Sequence, residues 1–319
     1  MFDLGDEANN DYGSHRSGWS YAVNQLKRLH NPNGPEMVSF IEKKFIYGDN
    51  PGERNNNFRN PQKDWIGFLH VPVNVPTWFQ GEMSPKKLLE TKEFKEALVN
   101  CKGIFTLASP LTDWLSQRVN VPISTILHPS EEVPTKFNRA KFNTSKRKRV
   151  IQLGWWLRKL HAIDQLPLNT DYFSKHTLGI SKPFQKKSLL LEQAIFGFKQ
   201  AENVNHIGFL PNDEYDNLLA ESVVFIDFYD TAANNAIIEC IARGVPILCP
   251  SISAATDYLG ANYPLYYETY EEAAYLIANT QALCDASEYL LQSGVGNKLS
   301  PNWFVNSIVE SDVGKTAVR

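Results

Sequence analysis

Ser222-Val223-Val224-Phe225-Ile226-Asp227-Phe228 is an unbroken apolar run closed by an acid. A polar loop from Tyr229 to Ala233 follows, and then Asn234-Asn235-Ala236-Ile237-Ile238-Glu239-Cys240-Ile241-Ala242-Arg243-Gly244. The first piece has the composition of a strand buried on both faces. The second has helical spacing: Asn234 is placed to cap it, Ala236, Ile237, Cys240 and Ile241 share an apolar face, and Gly244 is the expected terminator. Val245 to Pro250 begins another strand at once. Strand, helix and strand in this order make a parallel crossover unit, which sets the class as α/β.

The same alternation runs outward in both directions. In the first half the spacing predicts strands at Met37 to Ile41, Trp65 to His70, Gly103 to Leu107 and Ile123 to Leu127, with helices near Ser17 to Leu29, Ser84 to Asn100 and Pro110 to Arg118. The second half predicts strands at Val150 to Gly154, Asn205 to Leu210, Val223 to Phe228, Pro246 to Cys249 and Leu265 to Tyr267. Helices are expected between them near Leu189 to Lys199, Asp213 to Ala220, Asn235 to Arg243 and Tyr270 to Thr280. Pro129 to Arg149 is polar and ends in the basic run Lys146-Arg147-Lys148-Arg149, the composition of an interdomain connection. The basic run reads as solvated linker charge. Two Rossmann-like domains are therefore expected, 1–140 and 141–295, with 296–319 a segment that could return to the first. A cleft between two doubly wound domains would be the natural site, since ligands bind at the carboxyl ends of parallel strands. Met1 to Asp11 is polar and supplies at most a very short first strand.

Composition narrows the function classes. The chain has 319 residues and a formal net charge of −3, with both signs mixed along it, so no global field for gripping nucleic acid exists. No run of about 18 apolar residues occurs, and the start lacks the pattern of a signal peptide, which makes a cytoplasmic protein the expectation. Cys101, Cys240, Cys249 and Cys284 lie far apart and suggest neither a metal site nor a disulfide framework. The short motifs of serine hydrolases, zinc peptidases and P-loop enzymes are missing too.

A helix amino terminus after a buried parallel strand offers free N–H groups and partial positive charge, a site for an anion such as phosphate. Asn235 and Glu239 share a helix face, and helical side chains lean toward the amino end, so the Glu239 carboxylate is carried toward the same place. A carboxylate there suits the paired hydroxyls of a ribose. The plainer alternative is that Glu239 pairs with Arg243 one turn on, on a solvated face. Spacing leaves the two readings open.

Val224 to Tyr267 resembles the carboxyl-terminal domain of GT-B glycosyltransferases, in particular the retaining, nucleotide-sugar-dependent family with a paired-glutamate motif. Glu239-Cys240-Ile241-Ala242-Arg243-Gly244-Val245-Pro246-Ile247 is similar to its helix-to-strand signature, and His206-Ile207-Gly208-Phe209-Leu210-Pro211 with Glu214, Tyr215 and Leu218 to its base-binding loop. Val150 to Gly154 with Arg158 takes the place of the glycine strand and diphosphate-binding basic residue. Thr106 to Leu115 and Ile126 to Pro129 follow the amino-domain pattern. Thr231 stands where the family has its first glutamate, and Asp227 or Asp230 could substitute for it.

The resemblance implies a sugar transfer from a nucleoside diphosphate sugar, based on UDP or GDP, to a hydroxyl acceptor in glycan or glycoconjugate synthesis. It implies no cofactor and no metal, and retention of configuration is the family's outcome. Arg158, Lys159 and the backbone of Ala233, Asn234 and Asn235 would meet the diphosphate, with Thr231 beside them. Glu239 would take the ribose, Phe209 and Leu210 the base, and Tyr215 would line it. His70, at the end of a buried strand, would contact the donor sugar or accept a proton, and a histidine satisfied by backbone is the structural alternative. His70, Arg158 and Asp230 are the candidate catalytic residues; Arg16, Gly18, Trp19 and Asn74 are the candidates on the acceptor or sugar side. A nucleotide-sugar 2-epimerase of the same architecture and a non-catalytic nucleotide- or carbohydrate-binding protein are the alternatives. Peripheral membrane contact, through Trp78-Phe79 or the basic run, is open as well.

Overall fold

A computed structural model describes residues 1–5, 17–47, 61 and 63–317. In chain order its strands are β1 (Glu36–Val38), β2 (Trp65–Leu69), β3 (Cys101–Thr106), β4 (Ile123–Thr125), β5 (Lys148–Leu153), β6 (Phe173–Leu178), β7 (Val204–Ile207), β8 (Ser222–Phe225) and β9 (Ile247–Leu248). The α-helices run from α1 (Trp19–Leu26), α2 (Pro85–Leu88), α3 (Lys92–Ala97) and α4 (Ser109–Ser116) to α5 (Arg139–Thr144), α6 (Ala162–Gln165) and α7 (Pro183–Phe196). They continue as α8 (Asn212–Ala220), α9 (Asn235–Arg243), α10 (Ser253–Leu259), α11 (Tyr270–Ala278), α12 (Thr280–Gln292), α13 (Pro301–Glu310) and α14 (Asp312–Ala317). The chain divides into two compact units: Met1–Glu131 with Asp230–Asn235 and Asn297–Arg319, and Glu132–Tyr229 with Ala236–Gly296.

The first unit is built on a parallel sheet in the order β1-β2-β3-β4. Among the described residues, the short first strand is represented by two bridges, Phe2 with His30 and Asp3 with Glu36. Every residue of β2 is buried, as its apolar composition requires of a strand covered on both faces. Gly67 is needed there, because a Cβ would stand 2.6 Å from the Val38 carbonyl oxygen. Trp65 packs with Phe45 and Phe94 on one side. Phe68 stacks with Phe105 and with Phe304 of α13, and burying each such ring contributes about 1.5–3 kcal/mol.

The second unit carries five parallel strands in the order β7-β6-β5-β8-β9. Helix α9 ends as expected at Gly244, whose φ of +65° suits glycine. Strand β6 has no counterpart among the expected strands, since Lys175 and His176 interrupt its apolar pattern. The Lys175 ammonium is buried and donates to the carbonyls of Ile163, Asp164 and Leu166 at 3.0–3.1 Å, which is how a charged residue enters this sheet.

Other expectations need adjusting. Leu265 to Tyr267 forms a single bridge, Tyr266 with Cys249, rather than a strand. Ser84 to Asn100 is two short helices flanked by 3-10 turns, because Thr91 restarts the helix after α2 ends. The helix expected from Ser17 begins at Trp19 with Gly18 as its N-cap, while the Ser17 hydroxyl lies 3.1 Å from that of Ser130. The polar connection Pro129 to Arg149 contains α5, and Lys148 and Arg149 already belong to β5.

Candidate functional site

In the second unit the loop after β5 turns on Gly154 (φ +78°) and Leu157 (φ +55°) and delivers Arg158. Its guanidinium is buried, with Nε donating to the Leu153 carbonyl at 3.2 Å and Nη1 to that of Trp156 at 3.1 Å. Burial brings its pKa down to about 10, still a cation at neutral pH. Glu192 of α7 fixes the same loop: its carboxylate accepts the N–H groups of Leu160 and His161 at 3.0 and 2.9 Å and the Tyr229 hydroxyl at 2.7 Å. Lys159 pairs with Asp227 at 3.0 Å. Tyr270 donates to the same Asp227 oxygen at 2.8 Å, and the Phe228 N–H takes the other at 2.7 Å. Asp227 is thus a buried anchor of the loop.

Helix α9 buries nearly its whole length, Glu239 included. The Glu239 carboxylate does not pair with Arg243. It accepts a short hydrogen bond from the Tyr215 hydroxyl of α8. Arg243 instead binds Asp216, through Nη2 at 2.5 Å and Nε at 3.1 Å, and gives Nη1 to the Glu239 carbonyl at 3.0 Å. Sequence spacing missed this because Asp216 lies on a different helix. Burial beside the Glu239 carboxylate raises the Tyr215 pKa, so the phenol stays a donor. Tyr215 therefore orients Glu239 as well as standing near the loop of Phe209 and Leu210, where Phe209 is 84 % exposed and Leu210 half-buried.

Residues 230–235 group with the first unit. Asp230 Oδ2 accepts the Asn74 N–H at 2.8 Å, while Oδ1 takes the Thr231 N–H at 2.8 Å, which holds this loop against the one following β2. Thr231 and Asn234 are buried, Ala233 and Asn235 half-buried.

The first unit places His70 directly after β2. Its Nε2 lies 2.9 Å from the Ser39 carbonyl, so this nitrogen carries the proton and Nδ1 is an acceptor. The ring stacks on Phe40 at 4.0 Å and meets Trp19 edge-on at 4.2 Å. Burial pushes its pKa down to about 3. Such an imidazole is a poor proton acceptor at neutral pH and a good hydrogen-bond acceptor for a hydroxyl. Glu42, absent from the sequence reasoning, sits beneath it: Oε1 accepts the N–H groups of His70 at 2.8 Å and Val71 at 2.6 Å. Glu42 is fully buried, Oε2 has no partner among the described residues, and its pKa rises to about 7. Nothing in its sequence neighbourhood signals this, because the two N–H groups it serves lie across the sheet.

Trp19 is buried between His70 and His128, so its ring supports His70 rather than offering a free face. Gly18 is buried and Asn74 exposed. Phe79 is only 2 % exposed, which removes it as a membrane contact. Arg16 lies outside the described residues.

No protein-family model matches the chain, and no curated protein matches it by sequence. Solved structures do. Anabaena HepE in complex with UDP and glucose superposes with a TM-score of 0.61 at 12 % identity, over 78 % of this chain and 71 % of that one. Sucrose-phosphate synthase from Thermosynechococcus elongatus gives 0.61 at 13 %, over 91 % and 74 %. A variant of S. aureus TarM in complex with UDP, alpha-GlcNAc-glycerol and Fondaparinux gives 0.58 at 14 %, over 91 % of this chain and 58 % of TarM. Two parallel-sheet α/β units with these neighbours establish the fold as GT-B.

Proposed function

We propose that the chain is a glycosyltransferase that moves a sugar from a nucleoside diphosphate sugar to a hydroxyl acceptor on a glycan or glycoconjugate. The observation that carries this is the Glu239 carboxylate, buried on α9 and aimed by Tyr215 rather than neutralised by Arg243. In this reading the carboxylate that accepts the phenol also accepts a ribose hydroxyl. The solved neighbours with bound UDP support a uridine nucleotide as the first donor to test.

In this reading the diphosphate leaves without a metal, its developing charge met in the second unit by Arg158. Lys159 serves the same loop through Asp227. His70, a neutral imidazole, accepts hydrogen bonds and moves no proton. Asp230 fixes the backbone around Thr231 and Asn74, so it acts by position. The reaction proceeds with retention.

Calorimetric titration with UDP, GDP and ADP tests the nucleotide site, because a ligand that binds the native state alone is read directly as affinity. Selective binding of one diphosphate is expected, and its loss in Glu239→Ala.

A further inference from the structure

Helix α7 is amphipathic in the reverse sense. Its buried residues are Gln185 and Glu192, two turns apart on one face. Phe184, Leu191 and Ile195, exposed at 47, 38 and 48 %, are seven and four residues apart and form one stripe about a quarter turn from that face, while Leu190 at 63 % lies on the far side, beyond Lys187. Glu192 faces inward, where three donors of the second unit meet its carboxylate, and Leu189 is half-buried beside it. Isolated exposed leucines need no explanation; a contiguous helical face of them does.

The charges on this face point to its partner. Lys182 and Lys187 are exposed beside the apolar stripe, Lys186 is exposed on the other flank of the helix, and Lys199 follows just beyond it. From Lys182 to Lys199 the sole acid is the buried Glu192. A cationic, apolar face thus stands out on a chain whose net charge is −3. Trp155 extends the stripe, edge-on to Phe184 at 5.1 Å. A purely apolar partner would strip water from Lys186 and Lys187 without return. An anionic bilayer accepts both features, taking leucine and phenylalanine side chains at the acyl boundary and the ammonium groups among its phosphates.

We propose that the outward face of α7 docks the protein on an anionic phospholipid surface. The helix lies on the surface and does not enter it, since among the described residues no helix is long and apolar enough to cross a membrane. Glu192 ties α7 to the loop of Arg158, so docking holds that loop as well. The proposal goes beyond the glycosyltransferase reading and does not depend on it.

Flotation of the full chain with vesicles of phosphatidylcholine, with and without phosphatidylglycerol, is the test, and it requires no nucleotide. Binding to the phosphatidylglycerol vesicles, weakened by salt, is expected. The double substitution Leu191→Glu with Ile195→Glu should weaken it about tenfold or more, by removing two anchors of one stripe that each bury a large apolar side chain. Lys186→Glu with Lys187→Glu should weaken it as well, and both variants should keep the wild-type melting temperature because all four side chains are exposed. Absence of binding to anionic vesicles, or binding unchanged by both double variants, would overturn the proposal. So would a dimer in light scattering that Leu191→Glu dissolves while no vesicle binding is seen, which would assign the face to a second copy of the chain.

Discussion

Glu42 Oε1 accepts the backbone N–H of His70 at 2.8 Å, and the same oxygen takes Val71 at 2.6 Å, so one buried carboxyl sets the turn that leaves β2. Helical, strand and loop residues converge here for a chemical reason. A parallel strand that ends beneath a loop leaves N–H groups without a sheet partner, and in a dry interior each would cost about 1–3 kcal/mol if unmet.

Glu42→Ala should therefore destabilise the protein by about 2–5 kcal/mol, measured by denaturant unfolding. Glu42→Gln keeps the acceptor oxygen and separates charge from hydrogen bonding. Because the folded pKa of about 7 lies above the ordinary 4.5, the stability that protonation supplies is complete below the ordinary value and lost as pH rises through 7. Wild type should thus lose stability relative to the glutamine variant between about pH 5 and about pH 8, by an amount on the order of 3 kcal/mol. A difference that does not change with pH would refute the buried, protonated carboxyl.

His70 and His128 show the opposite linkage. Burial lowers their pKa values to about 3 and about 4, so the stability they contribute is present above 6.5 and lost as pH falls toward those values. The His70 ring resonances should remain those of a neutral imidazole protonated at Nε2 down to about pH 5 in an NMR titration. Titration near its ordinary value would restore His70 as a proton acceptor.

The buried ion pair and the exposed one should separate clearly. Asp216→Ala strands the fully buried Arg243 guanidinium and should cost about 3–5 kcal/mol, whereas Lys141→Ala breaks an exposed pair with Glu221 and should cost less than about 1 kcal/mol. Urea melts of the two variants give the comparison.

Much of this architecture can be read from residue order. The β8–α9 crossover follows from an apolar run, a helical apolar face and Gly244, and the buried β2 from its composition alone. Strand β6 escapes such reading because Lys175 finds its three carbonyl acceptors in and just after the short helix α6, which the local pattern does not predict. Helix α7 starts at Pro183, ahead of the Leu189 that spacing suggests, and its inward Glu192 is settled by three donors on other elements, which the local pattern does not show. The site shows the same division. Glu239, His70 and Arg158 stand out by residue type and position, but Tyr215, Asp216 and Glu42 gain their roles from partners that only the folded chain brings close. The Glu239–Arg243 pair suggested by helical spacing gives way to a better acceptor, Asp216, on α8.

Tyr215→Phe removes the donor that orients Glu239 while leaving the ring in place. Affinity for the donor nucleotide should fall about three- to tenfold, and the 2′-deoxy nucleotide should feel little of the change, in keeping with the loss of one hydrogen bond's worth of orientation. A double-mutant cycle with Glu239→Gln, read by calorimetry, should give coupling of about 0.5–3 kcal/mol between the two side chains. Additive losses would mean that the contact does not serve the ligand.

The central claim rests on Glu239 holding a ribose. Binding of UDP and of 2′-deoxy-UDP to wild type and to Glu239→Ala, measured by calorimetry on folded protein, addresses it most directly. The account predicts that wild type binds UDP more tightly than the deoxy nucleotide and that Glu239→Ala weakens UDP about tenfold or more while erasing the preference. Undiminished UDP binding by Glu239→Ala, or no binding of any nucleoside diphosphate by wild type, would contradict it.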